Sequence, residues 1–174
     1  MTDRLAAAVR TIPDFPQPGI AFKDLTPILA DPALFAEAVD RLAAPWENAG
    51  VTHVVGMDAR GFWFGPSLAA RLGAGFVPAR KPGKLPAETV QASYTLEYGE
   101  DILELHADAF GPNAHVLVHD DVIATGGTAA AACDLVRQLD ARVVGASFMI
   151  ELAFLDGRRR LPDGLAIRAL MTVD

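Results

Sequence analysis

One stretch of the sequence combines residue types suited to binding a sugar phosphate. In Val116–Thr128, VLVHDDVIATGGT, an apolar run ends in Asp120 and Asp121, and a Thr-Gly-Gly-Thr turn precedes a predicted helix. Glycine lets backbone N–H groups approach a ligand closely, and those at a helix start form a phosphate cradle. The carboxylates would repel phosphate but accept hydrogen bonds from sugar hydroxyls. The pattern predicts a ribose 5-phosphate site, and the turn lacks the lysine of a P-loop.

The cations of the chain are unevenly placed. There are three lysines, and two of them, Lys81 and Lys84, lie beside Arg80. Concentrated basic residues in an acidic protein favour a local anion site, although a charge run of this kind is usually a solvated surface. Arg60 follows a different apolar run, and arginine binds phosphate oxygens through two parallel hydrogen bonds. Both segments are therefore candidate anion contacts.

Hydrophobic patterns predict the elements that must position these residues. Apolar, β-branched runs alternate with segments of helical spacing, which favours an α/β domain around a mainly parallel sheet. Helices are predicted at 1–11, 31–44, 64–72 and 128–139, and strands at 51–57, 75–79, 114–118, 142–151 and 165–170. Parallel sheets bind ligands at the carboxyl ends of their strands. The loops predicted to form this edge follow Met57, Ala79, Val118 and Ile150.

Two segments interrupt the alternation. Three prolines exclude a helix in Ile12–Gly19. Lys81–Ser93 contains two prolines and little periodicity, so we predict a mobile loop there. Tyr94–Tyr98 and Asp101–His106 flank Gly99 and are predicted to pair as a hairpin.

Composition limits the class of protein. The 174 residues suit one domain, and 51% hydrophobic residues are too many for a disordered chain. A net charge of −7 argues against broad nucleic-acid binding. No apolar run reaches the roughly 18–20 residues of a membrane span, and the N-terminus lacks a signal-peptide core. A cytoplasmic protein with neither a membrane nor a nucleic-acid partner is expected. The single cysteine, Cys133, excludes an internal disulfide and is predicted to be a small core residue.

Five blocks of the sequence resemble the type I phosphoribosyltransferases, in that family's order. The acid-pair motif described above resembles the superfamily's site for 5-phosphoribosyl 1-diphosphate. The remaining blocks resemble the adenine-specific members: FPQPGIAFKDLTPIL at Phe15–Leu29, GMDARGFWFGP at Gly56–Pro66, RKPGKLP at Arg80–Pro86 and YTLEYGEDILELHADA at Tyr94–Ala109.

The resemblance implies both a fold and a reaction. The implied fold is a mainly parallel central sheet flanked by helices, with a small hood and a flexible flap. Residues 1–174 would form a single domain, in which the segment 1–30 contributes to the hood. The implied reaction transfers the phosphoribosyl group of 5-phosphoribosyl 1-diphosphate to adenine, giving AMP and diphosphate in purine salvage. Mg²⁺ is implied as cofactor, held mainly by substrate and water, and the implied assembly is a homodimer.

The resemblance also implies roles for individual residues. Those implied in catalysis are Glu97, Tyr98 and Arg60. Glu97 would manage the purine proton, and Tyr98 would help to close the flap. The expected ribose and 5-phosphate contacts are Asp120, Asp121, Ala124, Thr125, Gly126, Gly127 and Thr128. The expected diphosphate contacts, within one subunit or across a dimer, are Asp58, Ala59, Arg60, Arg80, Lys81 and Lys84.

The expected adenine contacts are Ala21, Phe22, Lys23 and Leu152. The backbones of Ala21 and Lys23 would read the edge of the base. The side chains of Phe22 and Leu152 would cover its two faces. Adenine presents an amino donor and a ring acceptor, whereas hypoxanthine and guanine present a carbonyl and a ring N–H. A wrong base therefore leaves buried polar groups unpaired, which can discriminate strongly.

The sequence departs from the family pattern at three positions, and two alternatives stay open. Ala59 replaces a common serine and Lys23 a common arginine, but backbone contacts survive both changes. His119 stands where an apolar residue is usual and is interpreted as a tolerated substitution. The alternatives are transfer to hypoxanthine, guanine or xanthine, and a non-catalytic regulator that binds phosphoribosyl ligands. A regulator would be expected to carry a nucleic-acid-binding element or a basic face, and this acidic chain has no spare domain.

Overall fold

A parallel five-stranded sheet forms the centre of the computed structural model, which describes residues 3–96 and 99–174. The described strands are β1 Arg10–Ile12, β2 Phe22–Asp24, β3 His53–Met57, β4 Gly75–Ala79, β5 Thr89–Leu96, β6 Gly99–His106, β7 His115–Ile123, β8 Arg142–Leu152 and β9 Ile167–Val173. The described helices are α1 Arg4–Ala8, α2 Thr26–Ala30, α3 Pro32–Ala43, α4 Gly65–Leu72 and α5 Gly127–Gln138. The central sheet has the order β4-β3-β7-β8-β9 with all neighbours parallel. The predicted α/β class is therefore confirmed.

The register of the central strands gathers their carboxyl ends at one edge. Met57 of β3 lies opposite Ala79 of β4. His119 of β7 lies opposite Gly56 of β3 on one side and Ser147 of β8 on the other. The loops after these strands consequently open on the same edge, as the sequence predicts.

Both faces of the central sheet are covered by apolar cores. Successive strand residues point to opposite faces, so Val116 and Val118 pack with α5 and the β5–β6 hairpin, whereas Leu117 packs with α2, α3 and α4. Cys133 of α5 is fully buried in the first core, where burial raises the pKa of its thiol to about 12. The prediction of a core cysteine is confirmed. Within the described ranges, no helix has the length and apolar character needed to cross a bilayer.

Two small antiparallel sheets stand outside the central one. β1 pairs with β2 near the N-terminus, and β5 pairs with β6 as the predicted hairpin. The first pair is fixed by Asp24, which accepts a hydrogen bond of 2.9 Å from Nε of Arg10 and another of 2.9 Å from the backbone N–H of Thr26. These bonds, with that of Thr26 first, hold the pKa of Asp24 below its usual value.

The structure corrects two predicted elements near their ends. The predicted helix 1–11 ends at Ala8, because Arg10–Ile12 pairs with β2 instead. The predicted loop Lys81–Ser93 gives way to β5 at Thr89, since each residue from there on has a partner in β6. Periodicity within one short segment does not reveal such partners.

A third correction concerns the acid pair. The strand predicted at 114–118 runs on to Ile123, because β8 continues beside it and Val122 lies opposite Ile150. Asp120 and Asp121 therefore lie inside β7 rather than after it. The pair therefore belongs to the sheet and not to the turn that follows it.

Candidate active site

The predicted phosphate cradle lies between the end of β7 and the start of α5. A cavity of about 200 Å³ is lined there by Asp120, Arg60 and the turn formed by residues 124–128. Gly126 has a φ of 79°, a conformation that glycine adopts without steric cost. The carbonyl oxygen of Gly157 packs so closely on Gly126 that a Cβ there would overlap it. Gly157 thus packs against the turn. The cavity is lined by residues of the first turn of α5, whose N–H groups lack helical partners.

The two acids of the motif are neighbours near the end of β7 and differ in their contacts. Asp120 lines the cavity, whereas the side chain of Asp121 is only 1% exposed. Oδ2 of Asp121 lies 3.3 Å from Nη1 of Arg60, and the backbone N–H of Asp121 donates to Oδ1 of Asp120 over 2.9 Å. Asp120 thus borders the cavity, while the buried Asp121 pairs with Arg60.

The pKa values of both acids are raised. Burial is the largest cause for Asp120, and the adjacent charge of Asp121 adds to it. Burial also raises the pKa of Asp121, although the charge of Arg60 opposes this effect. The ionised form of the pair is therefore poorly solvated, and a ligand that donates hydrogen bonds to Asp120 would stabilise it.

The loop after β3 carries three of the predicted diphosphate contacts, Asp58, Ala59 and Arg60. The peptide bond between Asp58 and Ala59 is cis, and Arg60 begins a 3₁₀ turn that ends at Phe62. Gly61 approaches β7 so closely that an added Cβ would lie 2.9 Å from the carbonyl oxygen of His119. This contact seats the loop on β7, which is why Arg60 reaches Asp121.

The predicted cation cluster divides between two carboxylates. Nε of Arg80 and Nζ of Lys84 lie 3.2 and 3.4 Å from Oδ2 of Asp58. Burial raises the pKa of Asp58, but the two cations outweigh burial and hold it below its usual value. Nζ of Lys81 instead lies 2.6 Å from Oδ2 of Asp101 on β6. Arg80 and Lys84 therefore gather at the loop after β3, while Lys81 reaches the hairpin.

Sequence reasoning missed the acids that anchor this region. The backbone of Glu104 exchanges hydrogen bonds of 2.9 and 2.7 Å with that of Arg80. The buried carboxylate of Glu104 accepts from Nε2 of Gln91 over 2.6 Å and from the N–H of Gly83 over 3.2 Å. A signal was available, since Glu104 lies between Leu103 and Leu105 in β6, but the partners of Asp101 and Glu104 lie far away in sequence.

The predicted adenine contacts line a second cavity of about 130 Å³. It is bounded by Ile20, Ala21, Phe22, Lys23, Arg60, Val122, Ala124 and Leu152. The Phe22 ring has the Arg60 guanidinium 5.5 Å from its centroid and the Phe15 ring in an edge contact at 5.1 Å. Nζ of Lys23 donates to Thr11 over 3.0 Å, which turns its charge towards β1.

The two cavities share three lining residues, namely Arg60, Val122 and Ala124. The structure thus brings together the predicted base contacts, the phosphate turn and the loop after β3. Glu97 and Tyr98 lie outside the described residues, between the end of β5 and the start of β6. His119, whose carbonyl oxygen packs on Gly61, is fully buried, and burial lowers its pKa to about 4, which makes the imidazole neutral at neutral pH.

Comparison with known proteins agrees with this arrangement. The model of the phosphoribosyl transferase domain family matches residues 26–162. The curated adenine phosphoribosyltransferase of Acidothermus cellulolyticus is 55% identical over 169 residues, which cover 97% of this chain and 95% of that protein.

Solved structures agree as well. The adenine phosphoribosyltransferase of Rhodothermus marinus superposes with a TM-score of 0.92 at 51% identity, covering 97% of this chain and 96% of that one. The Saccharomyces cerevisiae enzyme, in complex with adenine and an imino-altritol bisphosphate, gives a TM-score of 0.90 at 43% identity, covering 95% and 96%. The chain therefore belongs to the phosphoribosyltransferases and, within them, to the adenine phosphoribosyltransferases, glycosyltransferase-type enzymes that act on a purine.

Proposed function

We propose that phosphoribosyl transfer to adenine takes place where the two cavities meet. The observation that carries the proposal is their shared wall, formed by Arg60, Val122 and Ala124. One cavity has the backbone turn and carboxylate suited to ribose 5-phosphate, and the other has the apolar faces suited to a purine. A base in the second cavity lies next to a sugar in the first, which is the placement that bond formation between them requires.

In the proposed reaction, the C1–O bond to diphosphate breaks and a bond from C1 to N9 of adenine forms with inversion. Diphosphate leaves with the electron pair of the broken bond, and N9 loses its proton. Positive charge develops on the sugar and negative charge on the leaving group. Arg60, Arg80 and Lys84 are assigned to the leaving group, because prearranged cations stabilise charge as it develops. Asp58 would hold Arg80 and Lys84 ready, as their contacts of 3.2 and 3.4 Å suggest.

Ribose and phosphate binding are assigned to β7 and the turn that follows it. Asp120 would accept hydrogen bonds from ribose hydroxyls. Asp121 would act on the same site through Arg60, its partner at 3.3 Å. The 5-phosphate would bind the backbone N–H groups of Ala124, Thr125, Gly126, Gly127 and Thr128 together with the threonine hydroxyls.

Adenine recognition is assigned to the second cavity. The backbone groups of Ala21 and Lys23 would read the base edge, with Phe22 and Leu152 against its faces. In support, adenine is bound in the structure of the yeast relative. Glu97 would accept the N9 proton and Tyr98 would help to close the flap, as the family resemblance implies.

Mg²⁺ fits this site as a substrate-bound ion. In the part of the chain described by the structure, no group of three or more His, Cys, Asp or Glu side chains is gathered as a metal-binding cluster. The carboxylate that faces the phosphate cavity, Asp120, is assigned to the ribose. Oxygen atoms of the diphosphate, the ribose and water would therefore hold the ion. When bound, Mg²⁺ supplies further charge neutralisation on the leaving group.

The proposal extends to domain organisation, assembly and compartment. Residues 1–174 would act as one domain, with the β1–β2 sheet as part of the hood, because Phe22 of β2 lines the base cavity. A cytoplasmic homodimer follows from the family resemblance, and exposed Phe154, with 64% of its surface accessible, offers apolar surface for contact.

The experiment that tests the proposal compares bases directly. Purified protein with 5-phosphoribosyl 1-diphosphate and Mg²⁺ is given adenine, hypoxanthine or guanine, and base consumption is measured with and without Mg²⁺. Fixed backbone groups should favour adenine by roughly 100-fold or more in kcat/KM, because a wrong base leaves buried polar groups unpaired. Equal use of hypoxanthine would contradict the assignment of the second cavity.

A further inference from the structure

Lys81 differs from its neighbouring cations in what it contacts. Its ammonium lies 2.6 Å from Oδ2 of Asp101, and the same oxygen accepts a hydrogen bond of 3.1 Å from the hydroxyl of Tyr94. Tyr94 and Asp101 are directly opposite each other on β5 and β6. The carboxylate also accepts from the backbone N–H of Ile102 over 3.0 Å. Lys81 is thus joined to both strands of the hairpin.

The same group of side chains contacts the helix that follows the phosphate turn. Tyr94 packs against the apolar core that includes Ala129 and Ala132 of α5, and burial raises the pKa of its phenol. Thr128 lies in the first turn of α5 and lines the phosphate cavity. Contacts therefore run from Lys81 through Asp101 and Tyr94 to α5, the helix whose first turn would hold the 5-phosphate.

We propose that Lys81, Asp101 and Tyr94 form a tether that positions the β5–β6 hairpin against the phosphate turn. In this assignment Lys81 is a positioning residue rather than a diphosphate ligand. The inference rests on the proposed function, because it takes the phosphate and diphosphate sites as assigned above. It changes the role that the cation cluster alone suggests for Lys81.

Charge and geometry favour a tether over a ligand. A diphosphate that captured Lys81 would have to compete with a charge-assisted bond of 2.6 Å. Asp101, with 21% of its side chain exposed, would then lose its cation. Arg80 and Lys84 differ because they already share the carboxylate of the loop that is assigned to diphosphate. The tether instead orients the two strands that lead to Glu97 and Tyr98.

A charge swap separates the two roles of Lys81. Lys81→Glu and Asp101→Lys each place like charges together, and each should lower kcat by roughly tenfold or more, as misplaced catalytic groups do. The double variant restores an opposite-charge pair. A tether predicts that the double variant recovers kcat to within about threefold of the wild type. It also predicts that the diphosphate Kd of the double variant, measured with Mg²⁺, stays within about threefold of the wild-type value.

Direct contact between Lys81 and diphosphate predicts a different result for the double variant. A glutamate at position 81 would repel diphosphate if position 81 contacts it. A folded double variant with a diphosphate Kd raised by roughly tenfold or more, or with kcat not rescued, would overturn the proposal. Lys84→Met serves as the positive control, because loss of an assigned diphosphate contact should raise that Kd in any case.

A second variant tests the tether without depending on the folding of the charge-swapped protein. Tyr94→Phe removes one hydroxyl, and the tether predicts hydrogen exchange in 89–96 and 99–106 that is roughly fivefold faster or more. Ser93→Ala is the matched control, because Ser93 is exposed on the same strand and also loses a hydroxyl. Equal exchange in the two variants would contradict the tether. This readout needs no turnover, so it is independent of whether adenine is the substrate.

Discussion

The phosphate turn and the cation region are built in different ways, although both are assigned to parts of one phosphorylated substrate. The turn consists of consecutive residues, 124–128, and offers backbone N–H groups and hydroxyls. The cation region takes Arg80, Lys81 and Lys84 from the segment after β4, and their acids from β3 and β6. One region is fixed by local backbone conformation, and the other by ion pairs between distant segments.

This difference has energetic consequences. Backbone groups held in a turn lose little freedom when a ligand binds, so their arrangement is largely complete beforehand. Exposed ion pairs contribute only about 0–1 kcal/mol each to stability and weaken with salt. The pairs with Asp58 hold Arg80 and Lys84 near the place where diphosphate is assigned, whereas the pair with Asp101 joins Lys81 to the hairpin. We therefore expect substitutions in the turn to reduce stability and ligand affinity most, and substitutions of the cations to have smaller effects.

The largest effect is expected for Gly126→Ala. The φ of 79° costs a side chain about 1–2 kcal/mol, and overlap with the carbonyl of Gly157 adds about 1–3 kcal/mol. Gly164→Ala is a matched control, since Gly164 has a φ of 74° but no atom within 4 Å of an added Cβ. Denaturant unfolding and ribose 5-phosphate titration measure both variants. Equal stability losses with unchanged ligand affinity would contradict the rigid-turn interpretation.

A second test concerns His119, whose carbonyl supports the loop after β3 from within β7. Burial lowers its pKa from 6.5 to about 4, so the unfolded chain binds a proton between these values that the folded chain does not. Stability should therefore fall as pH decreases from 6.5 to 4. At about 1.4 kcal/mol per pKa unit, the full loss is about 3 kcal/mol.

The measurement compares unfolding free energies of the wild type and His119→Leu across this pH range. Between pH 6.5 and 4, the unfolding free energy of the variant should fall by about 3 kcal/mol less than that of the wild type, because the variant has no imidazole at this position to protonate. His115→Asn, at the opposite end of the same strand and less deeply buried, is the control. Parallel curves for the wild type and His119→Leu would mean that the buried imidazole does not govern acid stability.

A third test uses the acid pair, because Asp120 borders the phosphate cavity whereas Asp121 pairs with Arg60. Asp120→Asn should raise the KM for 5-phosphoribosyl 1-diphosphate by roughly tenfold or more, since hydrogen bonds to a charged group contribute about 1.5–3 kcal/mol. Asp121→Asn should act mainly through Arg60 and weaken diphosphate binding by a smaller factor. Direct titrations with ribose 5-phosphate and with diphosphate separate the effects. Indistinguishable profiles would show that both acids serve the ribose.

The same contrast explains which parts of the site the sequence could predict. The phosphate turn was predictable because its strand, glycines and helix are adjacent along the chain. The hairpin was predictable for the same reason, and the parallel sheet was predictable from the alternation of strand and helix patterns, both with errors at their ends. Strand pairing decides those ends, as the extension of β7 to Ile123 beside β8 illustrates.

The partners of the cations were not predictable. Lys81 and Asp101 are 20 residues apart, and Arg80 and Asp58 are 22 apart. No local pattern tells which acid Lys81 will meet or that Lys84 will meet another. The different contacts of Asp120 and Asp121 were also missed, because Arg60, the partner of Asp121, lies in a loop that is distant along the chain.

The smallest effect is expected for Lys23→Met, which asks whether the base cavity works like the phosphate turn, through its backbone. Nζ of Lys23 bonds to Thr11 at 3.0 Å, so its removal should change the adenine KM by less than about twofold, within the contribution of one ordinary hydrogen bond. Thr11→Val removes the other partner of that bond and should behave alike. Phe22→Ala should instead raise the adenine KM by roughly tenfold, because stacking on a base contributes about 1–3 kcal/mol. A tenfold rise for Lys23→Met would show that its charge, and not the backbone alone, contributes to adenine recognition.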